Sequence, residues 1–162
     1  MHEASIRTAN LELVPKTRAE AEAMLERMTP YERAQVSPDW LARLRASREV
    51  DPWVHGFSAL HRASGAFVGT GGFKGPPVEG IVEIAYAVEP EQQGKGYATE
   101  IAAALTRYAF TAAEVTLVRA HTLPEGAASK KVLGKCGYQF VGDVVDPEDG
   151  LVSRFEKRGE AS

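Results

Sequence analysis

The chain has 162 residues, 44% hydrophobic and 25% charged, with a formal net charge of -3, which suits one globular domain spanning residues 1–162 with a sizeable core. The mild acidic balance, without a dense Lys/Arg run, argues against a duplex nucleic-acid binder. The single cysteine, Cys136, excludes an intrachain disulfide and a Cys-rich zinc site. No apolar run approaches the ~20 residues that span a bilayer, and Met1 to Thr8 lacks the apolar segment of a signal peptide. A soluble cytoplasmic protein is the expectation.

Asn10 to Val14 alternates polar and apolar residues and predicts a first strand. Thr17-Arg18-Ala19-Glu20 is a capping box that opens a helix, with Ala21, Met24, Leu25 and Met28 on one face. Pro30 interrupts it. Ser37-Pro38 opens a second helix, with Trp40, Leu41 and Leu44 facing inward. From Trp53 the period shifts towards two. Val54 to His61 and Ala66 to Phe73 read as strands joined at Ser64-Gly65, and Glu79 to Val88 follows beyond the break at Gly75-Pro76-Pro77.

A long helix from about Tyr97 to Ala113 comes next, with Ile101, Leu105, Tyr108 and Ala112 at helical spacing. Thr116 to Thr122 predicts a strand. Glu125 to Lys135 predicts a helix stopped by Gly137, which suits a left-handed cap. Tyr138 to Val145 and Leu151 to Phe155 close the chain as a hairpin around Asp149-Gly150. The hairpins imply antiparallel pairing, and the crossover helix between Val88 and Thr116 implies at least one parallel pair. The expected fold is α/β (α+β): a mixed, mostly antiparallel sheet of about six to seven strands with about four helices on its faces.

The chemistry concentrates in the loop between Val88 and the long helix, which ends Gln93-Gly94-Lys95-Gly96-Tyr97-Ala98-Thr99. Helix N-termini present unpaired N–H groups and partial positive charge to a phosphate, and glycines let the backbone come close. A P-loop fails here: Glu89 stands where its first glycine belongs, and Gly96 where Ser or Thr belongs. The dinucleotide fingerprint fails at Thr99. The pattern Gln/Arg-x-x-Gly-x-Gly/Ala is met in full by Gln93, Gly96 and Ala98.

On these residues the chain resembles the GNAT acetyltransferase family, most closely its RimJ/RimL-like ribosomal-protein N-acetyltransferase branch. Further segments carry the resemblance in the same order along the chain. They are Gly72-Phe73-Lys74-Gly75-Pro76-Pro77, Val82-Glu83-Ile84-Ala85-Tyr86, Gly94 to Glu100, Ala127-Ala128-Ser129 and Lys135-Cys136-Gly137-Tyr138. The resemblance implies the GNAT fold and acetyl-coenzyme A as cosubstrate, with no metal. It also implies a coenzyme cradle of Gln93, Gly94, Lys95, Gly96, Tyr97, Ala98 and Thr99, with Val88 meeting the pantetheine through its backbone. The strand after the long helix would splay from the one before it and leave a slot for the thioester.

An alkyl amine of pKa ~10.4 is almost wholly protonated at pH 7, and freeing it costs about 4–5 kcal/mol. A base is therefore useful, and the resemblance offers Glu83, which by alternation shares a face with Ile81 and Ala85. A solvent-facing or edge carboxylate is the alternative. Many family members carry a tyrosine proton donor where this chain has Leu133. The resemblance makes Ser129, one turn earlier, a candidate donor to the leaving thiol; hydrogen bonding to the pantetheine or within the helix is the alternative. Gly126 replaces a common family asparagine.

Cys136 reads as a packing residue. His55 and His61, on one strand, would be roughly 20 Å apart, too far to share a metal. His121 reads as a hydrogen-bonded structural residue, and Asp146, Glu148 and Asp149 as a turn.

The sequence thus predicts acetyl transfer from acetyl-coenzyme A to a primary amine, by direct attack in a ternary complex. The acceptor would be a protein N-terminus or a small-molecule amine, with Thr17 to Asp51 and Pro76-Pro77 on its side. Neither nucleic acid nor membrane is an expected partner, and oligomeric state is open, a homodimer included. A non-catalytic acyl-coenzyme A sensor or scaffold is the alternative, favoured by Gly126 and Leu133. A dinucleotide-dependent oxidoreductase is a third reading.

Overall fold

The computed structural model describes residues 5–159; of the stretch Met1 to Thr8, the first four residues lie outside it. Eight strands form one sheet in the order β1-β2-β3-β4-β5-β6-β8-β7. They are β1 (Ile6–Arg7), β2 (Leu11–Pro15), β3 (Phe57–His61), β4 (Phe67–Phe73), β5 (Ile81–Val88), β6 (Leu117–Thr122), β7 (Gln139–Asp146) and β8 (Gly150–Arg158). Every pairing is antiparallel except β5–β6. The mixed α/β class is as expected, with a fuller sheet than six or seven strands.

Among the described residues six α-helices accompany it: α1 (Arg18–Arg27), α2 (Pro30–Ala34), α3 (Pro38–Ala46), α4 (Pro52–His55), α5 (Tyr97–Phe110) and α6 (Ala127–Lys135). The capping box at Thr17 and Glu20 starts α1, and Ser37 caps α3. Pro30 does not merely interrupt: Thr29 and Glu32 form a second capping box and open α2. Among the described residues no helix is long and apolar enough to cross a membrane.

One predicted strand is corrected. Val54 to His61 begins as the short helix α4, because Asp51 accepts a hydrogen bond from the Trp53 amide at 3.2 Å and Pro52 sits at the first helical position. Gly56, at φ 71°, then turns the chain into β3. His55 is therefore buried on a helix, 2.8 Å from Ser47 Oγ, and does not share a strand with His61.

The main core lies between the sheet and α5. Ile101, Ala102, Leu105 and Ala109 meet Leu11, Leu13, Phe57, Val68, Val82, Ile84 and Val118 there, all buried. Each large aliphatic side chain so removed from water contributes about 1.5–3 kcal/mol. The effect on function is positional: α5 is fixed as a rigid rod whose N-terminus points at the end of β5. Glu100 secures that end, accepting from the Asn10 amide at 2.9 Å, from Asn10 Nδ2 at 2.8 Å and from Thr8 Oγ1.

Candidate active site

The sheet opens where the site lies. β5 and β6 pair in parallel only from Ile81↔Leu117 to Ile84↔Ala120. Beyond that point β5 runs on to Val88, paired with β4 alone, while β6 continues against β8. One edge of β5, from Ala85 onwards, is left without a strand neighbour. This is the expected slot.

A cleft of about 690 Å³ leads from it to α5. Its lining includes Val88, Gln93, Gly94, Gly96, Tyr97, Ala98, Thr99 and Ser129. Of the predicted coenzyme residues, Lys95 alone stands outside the lining; its Nζ donates to Gln92 Oε1 at 3.3 Å. Gly94 and Gly96 take φ 77° and 83°, left-handed positions that favour glycine, and a Cβ on either would meet nothing within 4 Å. Glu100 N–H bonds back to Gly96 O at 3.2 Å. Ahead of it, the amides from Gly94 to Thr99 have no hydrogen-bond partner among the described residues. Unpaired N–H groups at a helix start, next to two left-handed glycines, make an anion cradle. Gln93 is a brace: its Nε2 donates to Val88 O at 3.1 Å, tying the loop to the end of β5.

Among the cleft residues that sequence reasoning missed, three carry chemistry. Lys131 and Lys135, one turn apart on α6, add positive charge, and Tyr86 joins them in the lining. Alternation along β5 from Val88, which puts Tyr86 on the same face, is the signal that finds Tyr86. Burial, with nearby Cys136 adding to it and the Ser129 hydrogen bond opposing, pushes the Tyr86 phenol up to about 12. It stays protonated at neutral pH. Tyr86 and Ser129 also line a second cavity of about 320 Å³, together with Glu83, Lys74, His121 and Asp149. Glu83, Lys74 and Asp149 in turn line a third, of about 580 Å³, walled by Trp40, Arg43 and Phe73. The three cavities run in series: cleft, reaction cavity and outer cavity, with Tyr86 and Ser129 at the first junction and Glu83 at the second.

Glu83 is neither solvent-facing nor set among apolar groups. Its side chain is 17% exposed, and Oε2 lies 3.1 Å from Lys74 Nζ and 3.2 Å from His121 Nδ1. Lys74 also pairs with Asp149. Burial works to lower the Lys74 pKa, but the Asp149 hydrogen bond and the Glu83 charge outweigh it and leave it raised. Asp146 accepts from the amides of Glu148 and Asp149, each at 3.0 Å. The predicted turn is present and also delivers Asp149 to the cavities.

The remaining candidates sort by environment. Leu133 is fully buried in the core, so α6 has no room there for a tyrosine. Gly126 caps α6 without a side-chain bond, and a Cβ would come 3.1 Å from Leu123 O. Cys136 is half-buried, its Sγ 3.7 Å from Thr99 O, and burial pushes its thiol up. That fits packing and disfavours a nucleophilic thiolate. Glu83, His121 and Asp146 bring metal-ligand atom types within 4.8 Å of one another. Arg154 Nε donates to His121 Nε2 at 3.0 Å, which leaves the proton on Nδ1 and no lone pair there for a metal.

Comparison with known proteins follows the same lines. Residues 4–139 match the family model described as the acetyltransferase (GNAT) domain. The chain is 30% identical over 102 residues to the uncharacterized N-acetyltransferase p20 of Bacillus licheniformis, covering 62% of this chain and 53% of that protein. It is 28% identical over 99 residues to the uncharacterized N-acetyltransferase YjdG of Bacillus subtilis (strain 168), covering 60% and 56%. The chain thus spans about half the length of the curated relatives it matches. Among solved structures, a Vibrio cholerae protein provisionally named a ribosomal-protein-serine acetyltransferase superposes with TM-score 0.66 at 21% identity, covering 97% and 98% of the two chains. The aminoglycoside acetyltransferase AAC(6')-Ib, bound to coenzyme A and kanamycin, superposes with TM-score 0.67 at 20% identity, covering 91% and 94%. At these identities the likenesses establish the fold.

Proposed function

The chain belongs to the GNAT acetyltransferase family, and we propose that it transfers the acetyl group of acetyl-coenzyme A to a primary amine by direct attack in a ternary complex. One observation carries this reading: the unpaired amides from Gly94 to Thr99 stand at one end of a cleft whose other end opens into a cavity lined by Glu83 and Ser129. The diphosphate would sit on those amides, with the field of α5 behind them. Lys131 and Lys135 would add charge for the coenzyme's phosphates. The pantetheine would lie along the open edge of β5 near Val88, bringing the thioester between Tyr86 and Ser129.

The amine enters from the outer cavity as an ammonium ion. Glu83 takes its proton, directly or through water, and Lys74 shifts towards Asp149. The free amine nitrogen attacks the thioester carbonyl, an N–C bond forms and the C–S bond breaks, and the second proton of the nitrogen passes to the departing sulfur or to solvent. The thiolate leaves beside the hydroxyls of Ser129 and Tyr86. With a thiol pKa of ~8.5, departure as thiolate at pH 7 forfeits only about 2 kcal/mol, so one modest hydrogen-bond donor is enough.

The acceptor is a protein N-terminus or a small-molecule amine. The Vibrio cholerae neighbour supports the RimJ/RimL-like branch and a peptide acceptor, and AAC(6')-Ib supports an aminoglycoside. Such an enzyme would work in the cytoplasm. A mass-spectrometric screen tests the proposal, using the purified chain, acetyl-coenzyme A, N-terminal peptides, aminoglycosides and simple amines. A product heavier by one acetyl group is expected. Calorimetric binding of coenzyme A with no acetylated product across the panel would favour a sensor or scaffold, the reading that Gly126 and Leu133 support.

A further inference from the structure

His121 stands on β6 at the wall of the reaction cavity, its side chain 5% exposed, among charged groups from the surrounding elements. Arg154 on β8 places Nε 3.0 Å from His121 Nε2. A guanidinium only donates, so this bond needs a lone pair on Nε2, and a neutral imidazole with its lone pair there carries its proton on Nδ1. That Nδ1 lies 3.2 Å from Glu83 Oε2 on β5, but off the line of a good hydrogen bond. It is the buried side-chain nitrogen or oxygen without a hydrogen-bond partner among the described residues. Asp146 on β7 approaches the same place, and Lys74, after β4, shares the Glu83 oxygen.

A histidine beside a carboxylate has three ordinary uses. As a second base it would need a lone pair facing the cavity, and its lone pair faces Arg154. As a metal ligand through Nδ1 it would carry a proton on Nε2, setting N–H against N–H. As a donor to Glu83 it satisfies every contact, needing only a small rotation of either side chain. Protonation is disfavoured as well. Burial lowers its pKa first, with Arg154 and Lys74 adding to this and Glu83 and Asp146 opposing.

We propose that Arg154 fixes His121 as a neutral imidazole that accepts through Nε2 and whose Nδ1–H holds Glu83 towards the reaction cavity. The proposal rests on Glu83 being the base, and it makes His121 and Arg154 positioning residues. When an incoming ammonium displaces Lys74 from Glu83, Lys74 has Asp149 to go to, and His121 is then the donor that keeps the carboxylate aimed. The proton taken from the ammonium resides on Glu83 and leaves to solvent; His121 does not receive it.

Long-range ¹H–¹⁵N spectra of the His121 ring in the full, unliganded chain test this between pH 6 and 8. The expected pattern is a protonated Nδ1, an unprotonated Nε2 and no imidazolium. Arg154→Leu should release the lock and let imidazolium appear, with a midpoint moving up towards the ordinary histidine value of ~6.5. Arg154→Met, which likewise removes the donor and the charge, serves with the same expectation if that variant does not fold. Glu83→Ala should move the Nδ1 proton signal upfield as its acceptor disappears. A proton on Nε2, or imidazolium in the unaltered chain at pH 7, would overturn the assignment. So would an Nδ1 proton signal indifferent to Glu83→Ala. The base reading fails separately: an unchanged pH–rate profile in Glu83→Gln would remove it while leaving the state of His121 as measured.

Discussion

The coenzyme end and the acceptor end of the site are built by different means. At the coenzyme end the chemistry belongs to the backbone: one contiguous loop, two left-handed glycines and the unpaired amides of a helix start. At the acceptor end it belongs to side chains from β5, β6, β8, the β7–β8 turn and the segment after β4, which meet as Glu83, His121, Arg154, Asp149 and Lys74. The first end depends on local conformation and can be written in seven consecutive residues. The second exists only when the sheet is assembled.

The largest expected effect breaks the backbone end with a single carboxylate. Gly96→Asp places negative charge where the diphosphate would lie, and calorimetry should find coenzyme affinity down by at least about 100-fold, a loss of ~3 kcal/mol or more. Folding should survive, because aspartate tolerates the left-handed position and a Cβ there meets nothing within 4 Å. Retained affinity in a folded variant would detach the loop from the coenzyme.

Glu83→Gln attacks the other end. Without the base, kcat/KM at neutral pH should fall by about 10²–10⁴-fold. The deficit should shrink as pH rises towards the amine pKa, where free amine no longer has to be made. Coenzyme affinity should not change. A variant that loses affinity instead would erase the distinction between the two ends.

This contrast also explains what the sequence reveals. The cradle is legible because glycine and helix-start chemistry repeat at fixed local spacing, and so is the capping box at Thr17. Thr29-Pro30-Tyr31-Glu32 carries the same capping signal, obscured when Pro30 is taken only as a breaker. Val54 to His61 misleads because its apolar residues alternate, while the cap at Asp51 and the first-turn Pro52 decide for helix. Glu83 is reached from resemblance and alternation. Its partners are not, since Lys74, His121 and Asp149 are 9, 38 and 66 positions away along the chain and meet through strand register alone. His121 reads from sequence as hydrogen-bonded, and it is, to Arg154; its place beside Glu83 needed the β5–β6 pairing.

A smaller effect sharpens the junction between the ends. Ser129→Ala should lower kcat by about tenfold, within the ~30-fold ceiling set by a thiolate penalty of about 2 kcal/mol. Tyr86 supplies the second hydroxyl there. Stopped-flow release of free thiol measures the drop, and no change at all would leave Ser129 a helix residue.

The smallest expected effect is on stability. Burial lowers the pKa of both His55 and His121 in the folded chain. The sign follows directly. Above the unfolded histidine value of ~6.5 both states are neutral; below it the unfolded chain binds protons first, so stability falls with pH, by at most about 1.4 kcal/mol per group per pH unit. Thermal melts between pH 7 and 5 should show Tm falling, and falling less steeply in His55→Gln. Parallel slopes in the two proteins would contradict the assignment.

The diphosphate cradle is tested most directly by following backbone amide signals during titration with coenzyme A and, separately, with pantetheine, which lacks the diphosphate. Coenzyme A should shift the amides of Gly94 to Thr99 strongly, and pantetheine should leave them in place while perturbing Ala85 to Val88. Equal responses to both ligands, or silence at Gly94 to Thr99 with coenzyme A bound, would contradict the account.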